Sequence, residues 1–133
     1  MDGRNRTEDL TNADHADAER LVRRYYAHID AGDYEALAAL LDPAFVHDRP
    51  DRTLDGRDRF VAFMRDERPM TDTEHVVDAV YANGSDRAAR GRLLDADGEV
   101  LFAFLDVFSI GTDRIESLRT YTGDDEPADA TNR

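Results

Sequence analysis

The 133-residue sequence contains no cysteine, and all 17 of its basic residues are arginine, with no lysine. Without cysteine there is no disulfide framework, no thiolate nucleophile and no cysteine metal site. No apolar run approaches the roughly 20 residues of a membrane-spanning helix. The first residues, Met1-Asp2-Gly3-Arg4-Asn5-Arg6, lack the apolar core of a secretion signal. A soluble, cytoplasmic protein is therefore expected. Positive charge is also scarce: 30 acidic residues against 17 arginines leave a net charge of −13. Such a surface repels nucleic acid and anionic membranes, so neither is expected as a partner. The excess of Asp with no Lys suits a protein kept in concentrated salt, or an acidic protein from a GC-rich genome.

What is present is enough for one domain with a real core, at 41% hydrophobic residues. Residues 1–13 are polar and are expected to form a loose tail. From His15 to Ala31 the apolar residues Ala18, Leu21, Val22, Tyr25, Tyr26 and Ile29 fall at helical spacing on one stripe. Gly32 ends that helix, and Asp33 caps a second from Tyr34 to Leu41, closed by Pro43. Residues 44–48 form a short strand, and a loop follows to Gly56. A third helix, 57–67, presents Phe60, Val61, Phe63 and Met64. Strands are then predicted over 74–82, 87–94, 99–110 and 114–122, with turns at Asn83-Gly84 and Asp97-Gly98. The domain spans 14–123, and 124–133 reads as an acidic tail. Helices first and then a four-strand meander predict an α+β fold with helices on the concave face of a curved antiparallel sheet.

The most apolar stretch is Val100-Leu101-Phe102-Ala103-Phe104-Leu105-Asp106-Val107-Phe108. Alternation puts Phe102, Phe104, Asp106 and Phe108 on one face. The other face, from Leu101 to Val107, is apolar as well, so both faces are expected to be covered. Asp106 is then one carboxyl among three phenylalanines. It must pair, find donors, or keep its proton through a raised pKa. The four histidines, His15, His28, His47 and His75, show no metal-ligand spacing on one element. No metal or other cofactor is expected. Arg90 and Arg92 share a face of their strand, and a solvated face is expected for both.

The segment Arg24-Tyr25-Tyr26-Ala27-His28-Ile29-Asp30-Ala31-Gly32-Asp33, followed by Ala38-Ala39-Leu40-Leu41-Asp42-Pro43-Ala44-Phe45-Val46-His47-Asp48, resembles the opening of the nuclear-transport-factor-2-like superfamily. Phe104-Leu105-Asp106-Val107-Phe108 and Ile115-Glu116-Ser117-Leu118-Arg119-Thr120-Tyr121-Thr122-Gly123 resemble its last two strands. SnoaL-like polyketide cyclases and ketosteroid isomerases belong to that superfamily. The resemblance implies a cone-shaped curved sheet wrapped around helices, and a homodimer through the sheet face. Three positions match the isomerases. Asp48 takes the place of their general base, and Tyr25 and Asp106 that of their oxyanion donors. Phe102, Phe104, Phe108 and Leu118 are expected to line a cavity for a small apolar or aromatic ligand.

The sequence departs from the isomerase pattern at Arg49, which stands between Asp48 and Pro50, and at His47, which alternation points away from Asp48. Asp106 can equally be a structural acid held ionised by arginine or backbone donors. Three functions remain open on the sequence: a cofactor-free isomerase or cyclase, a non-enzymatic ligand pocket, and an interaction domain whose cavity is filled by its own side chains.

Overall fold

The apolar stripe of the first helix needs a surface to bury it, and the sheet supplies one. In the computed structural model, which describes residues 12–124, the elements run α1 (Asn12–Ala31), α2 (Tyr34–Ala39), β1 (Leu41–Asp48), β2 (Thr53–Asp55), α3 (Arg57–Asp66), β3 (Glu74–Asn83), β4 (Asp86–Leu94), β5 (Val100–Ile110) and β6 (Ile115–Gly123). The fold is α+β, with helices against a curved, unclosed sheet. Asn12 and Ala13, expected in the leading tail, open α1. The rest of that tail, and all of the trailing one beyond Asp124, lie outside the described residues.

α1 stops where a left-handed residue lets the chain turn. Gly32 has φ 71°. Its N–H donates to the Ile29 carbonyl at 3.1 Å, and the Asp33 N–H donates to the His28 carbonyl at 2.9 Å. That pair of bonds is a Schellman closure, which an L side chain at position 32 would strain. The Asp33 side chain then accepts from Ala36 N–H and caps α2.

Six strands form one sheet in the order β2-β1-β6-β5-β4-β3. Sequence reading yields only the last four of these as a sheet, plus a short separate strand. β1 starts earlier than expected, at Leu41, and pairs in parallel with β6. α2 is correspondingly shorter: Leu40 is its C-cap, and the Leu40 carbonyl accepts from the Ile115 N–H at 2.9 Å, so the chain is already taken into the sheet there. The register shifts between Leu41 and Val46, where Pro43 has no N–H to offer the ladder. β2 falls inside the expected loop. Its three residues are too few to show alternation, and it exists by pairing Val46 with Asp55, His47 with Leu54 and Asp48 with Thr53.

The core lies between the helices and the concave face. Val22, Tyr25, Tyr26 and Ile29 of α1 and Phe60, Val61, Phe63 and Met64 of α3 meet Phe45, Ala89, Phe104, Phe108, Ile115 and Leu118 of the sheet. Each fully buried Val, Ile, Leu, Met or Phe among them contributes about 1.5–3 kcal/mol through burial. Gly91 has a packing reason to be glycine. A Cβ there would lie 2.2 Å from the Val76 carbonyl oxygen and 2.7 Å from the Phe104 ring. Its absence lets that ring lie across β4.

The convex face differs from expectation. Leu105 of β5 is 38% exposed, and Tyr121 of β6 is 50% exposed. No described element covers them. The expectation that both faces of β5 are covered is therefore not met by the described residues of a single chain. The helices suffice for one face of the sheet only. Arg90 is exposed on the same convex side, and Arg92 pairs there with Asp78 at 2.9 Å.

Candidate active site

A cavity of about 230 Å³ opens between the concave face and α1 and α3. Its interior is formed by Tyr25, Ile29, His47, Met64, Thr73, Phe104 and Asp106, all buried. Pro50, Pro69, Met70, Leu101, Phe102 and Thr122 form an exposed rim. Arg49, Arg68, His75, Leu93 and Thr120 complete the wall. Pockets for drug-sized ligands run from about 300 Å³ upward, and a cavity of about 150 Å³ already admits benzene. The space therefore suits one or two rings rather than a four-ring steroid.

Alternation along β1 decides which of two neighbours enters. Phe45 and His47 are buried, while Asp48 turns outward. Asp48 accepts from the Thr53 hydroxyl at 2.6 Å and from the Arg119 guanidinium at 2.9 Å. It does not line the cavity that holds Tyr25 and Asp106. The structure thus brings together two of the three expected catalytic residues and leaves out the one expected as base. Of the expected lining residues, Phe104 is in the wall and Phe102 on the rim. Phe108 and Leu118 do not line the cavity. They are 0% and 2% exposed, part of the core cluster.

Asp106 sits in a chain of hydroxyls. Its Oδ2 accepts from the Tyr26 hydroxyl at 2.5 Å, and its Oδ1 accepts from the Thr120 hydroxyl at 2.5 Å. Its tyrosine partner is Tyr26, the neighbour of Tyr25. Burial raises the Asp106 pKa above the ordinary aspartate value, and the Thr120 and Tyr26 bonds oppose the rise. Thr120 Oγ1 lies 2.8 Å from His47 Nε2. Because the Thr120 proton goes to Asp106, His47 Nε2–H is the donor to Thr120. His47 Nδ1 is buried with no hydrogen-bond partner among the described residues. A second ring proton would have nowhere to bond, and burial with the nearby Arg49 charge lowers the His47 pKa from 6.5 to about 3. His47 is a neutral, fixed donor.

Tyr25 offers a free hydroxyl to the cavity. Its ring packs edge-on against Tyr26 at 5.1 Å and Phe108 at 5.3 Å. It makes no side-chain hydrogen bond among the described residues. Burial first, and the Asp106 charge second, raise its pKa well above 10, so it stays a protonated donor.

A second acid–base pair shares the wall. His75 is the second residue of β3, and its Nδ1 lies 2.7 Å from Asp30 Oδ1. The His75 backbone N–H donates to Asp30 Oδ2 at 2.9 Å. Two bonds from one residue fix the carboxylate, and the carboxylate fixes the imidazole with its proton on Nδ1. That leaves the Nε2 lone pair unclaimed by any described residue. The ring is held at 5.0 Å from Tyr26 and 5.7 Å from Phe104. Asp30 lies one turn after Tyr26 on α1, so both its place and the place of Asp106's partner follow from one helix face.

Sequence reasoning passed over His47, Tyr26, Thr120, and the Asp30–His75 pair. Alternation from Phe45 could have found His47. Nothing local links Asp30 to His75, 45 residues away. Among the described residues no cluster of three or more His, Asp or Glu side chains is placed to hold a metal ion.

Comparison with known proteins agrees with this frame. The model of the SnoaL-like domain matches residues 22–118. Among solved structures, a Kribbella flavida DSM 17836 protein provisionally named a ketosteroid isomerase is 19% identical, with a TM-score of 0.73 over 84% of this chain and 82% of its own. A Jannaschia sp. CCS1 protein provisionally named a SnoaL-like polyketide cyclase is 15% identical, with a TM-score of 0.68 over 80% and 85%. An LEH-like epoxide hydrolase of M. tuberculosis is 20% identical, with a TM-score of 0.71 over 81% and 84%. At these identities the likeness is one of fold. No curated protein sequence matches the chain. With its family model covering most of the chain, from the α1 stripe to the last strand, the protein belongs to the SnoaL-like domain family.

Proposed function

We propose that the protein is a cofactor-free isomerase or cyclase that moves a proton at a carbon next to a carbonyl, with His75 as the base. The observation that carries this reading is an oriented His–Asp pair and an unbonded tyrosine hydroxyl in the wall of one apolar cavity. His75 Nε2 takes the proton from the carbon. The C–H electron pair moves toward the carbonyl, and the oxygen becomes an enolate. The Tyr25 hydroxyl, and Asp106 in its acid form, donate to that oxygen. Return of the proton to a different carbon gives an isomer. Attack of the enolate carbon on a second carbonyl of the same molecule forms the C–C bond of a ring and breaks that carbonyl's π bond, and the new alkoxide takes the proton back from His75. Asp48, outside the cavity, has no part in these steps. The small volume favours a one- or two-ring substrate.

The reading is tested with 2-tetralone in D₂O, following loss of its α-proton signals by NMR. The protein should accelerate exchange. His75→Ala should lose about 10²–10⁴-fold, the usual scale of general-base catalysis, and Tyr25→Phe should lose less. Binding of tetralone without accelerated exchange would instead identify a ligand pocket without this chemistry. Failure of both binding and exchange would leave an interaction domain.

The exposed Leu105 and Tyr121 support a further part of the proposal, a homodimer through the convex sheet face.

A further inference from the structure

The cavity carries the opposite charge from the protein around it. The chain as a whole has a net charge of −13. The cavity wall holds two guanidiniums, Arg49 and Arg68, and one carboxyl, Asp106, whose ionisation burial opposes. Arg68 is fixed in place by two bonds. Its Nε donates to the Met64 carbonyl at 2.7 Å and its Nη2 to the Tyr34 hydroxyl at 2.9 Å. It has no carboxylate partner among the described residues. Arg49 lies over the Phe63 ring at 5.0 Å and touches Asp51 at 3.3 Å. That aspartate is 56% exposed and so only weakly engages it. Each arginine is followed in sequence by a proline of the cavity rim, Pro50 or Pro69. Both charges act on the Tyr25 hydroxyl in the direction opposite to burial.

We propose that the cavity selects a small cyclic carboxylate, with its ring against Phe104 and Ile29 and its carboxylate at the mouth on Arg68 and Arg49. This rests on the ligand-binding part of the function proposed above and not on its proton transfer. A pre-positioned guanidinium matches a carboxylate with parallel N–H donors. A cleft of one sign with apolar walls concentrates the opposite ion against the repulsion of an acidic surface. A benzene ring needs about 150 Å³, so a cavity of about 230 Å³ has room for a substituted ring and its anionic group.

The test is titration with 2-naphthoate and with its neutral isostere 2-naphthamide, at one fixed potassium chloride concentration. The carboxylate should bind roughly tenfold or more tightly, the scale of one hydrogen bond to a charged group. Arg49→Gln and Arg68→Gln should each remove most of that difference, weakening the carboxylate far more than the amide. Arg68 also bonds the end of α3, so Arg68→Gln is paired with a melting curve. If it does not fold, Arg49→Gln, which holds no helix end, carries the test. Equal affinity of the two probes for the wild type, or a preference for the amide, would overturn the anion selection and leave the cavity as a neutral-ligand site. Failure of both probes to bind would overturn the ligand reading as well.

Discussion

The two faces of the same sheet handle charge in opposite ways. On the concave face the polar groups are few, buried and tied to one another: Tyr26 to Asp106, Asp106 to Thr120, Thr120 to His47. On the convex face the polar groups are exposed ion pairs, Arg119 with Asp48 and Arg92 with Asp78. Between those pairs stand the open side chains Leu105 and Tyr121. Buried groups shift their pKa values and can act as donors or bases with little competition from water. Exposed pairs contribute solubility and little stability. The difference shows why the sheet's chemistry is confined to one side, although both sides carry acids.

The largest break in that comparison is apolar. Phe108→Ala, on the concave face, should cost roughly 3–5 kcal/mol, because a fully buried ring leaves a cavity behind. Leu105→Ala, three residues earlier on the convex face, should cost about 1 kcal/mol or less in a lone chain. Urea unfolding of both variants measures the contrast. If the Leu105→Ala cost is larger and grows with protein concentration, a second copy covers the convex face.

The next effect is on pH dependence. His47 has its pKa lowered from 6.5 to about 3 in the fold, so the unfolded chain binds the proton first as pH falls. Its neutral burial therefore contributes stability above about pH 6.5 that is lost progressively as pH falls toward 3, on the order of several kcal/mol in all. Asp106 works the other way. Its raised pKa favours the fold below the ordinary aspartate range, and that contribution is lost as pH rises through its folded value. Burial is the first cause; the Arg49 charge acts in the same direction, and the Asp48 and Asp51 charges oppose it. His47→Gln keeps a neutral donor for Thr120 and cannot titrate. Its unfolding free energy should fall less than the wild type's between pH 6.5 and 3. An identical acid limb in both proteins would show that His47 is not held neutral.

Much of this contrast can be read in the chain before folding. The α1 stripe, the turn at Gly32, the Phe60 to Met64 face and Asp106 among phenylalanines all follow from local periodicity. The family pattern supplies the curved sheet wrapped around helices. β2 is not legible, because three residues carry no period and only pairing with β1 defines them. Tyr25 and Tyr26 are adjacent and both buried, so helical spacing cannot say which one reaches Asp106 across 80 residues. The Asp30–His75 pair depends on where β3 begins relative to α1, a tertiary fact. His47 and Asp48 are the instructive case. Alternation admits only one of them to the cavity, and the buried Phe45 identifies it as His47. The family position favours Asp48, and the pleat of β1 outweighs it here.

The smallest expected effect tests that last point most directly. Asp48→Asn removes a charge from an exposed pair whose arginine is 59% exposed and whose aspartate is 37% exposed. Removing such a pair should cost about 1 kcal/mol or less. The amide can still accept from the Thr53 hydroxyl, so β1 and β2 should stay paired. Since Asp48 does not line the cavity, tetralone exchange should match the wild type, and so should naphthoate affinity. The comparison with His75→Ala decides between the two bases. If Asp48→Asn slows exchange as much as His75→Ala does, the proton passes through Asp48, and β1 must turn that side chain inward during the reaction. If exchange is unchanged while His75→Ala loses it, the isomerase-type position is occupied in this chain by an outward ion pair, and the base has moved to the other side of the cavity.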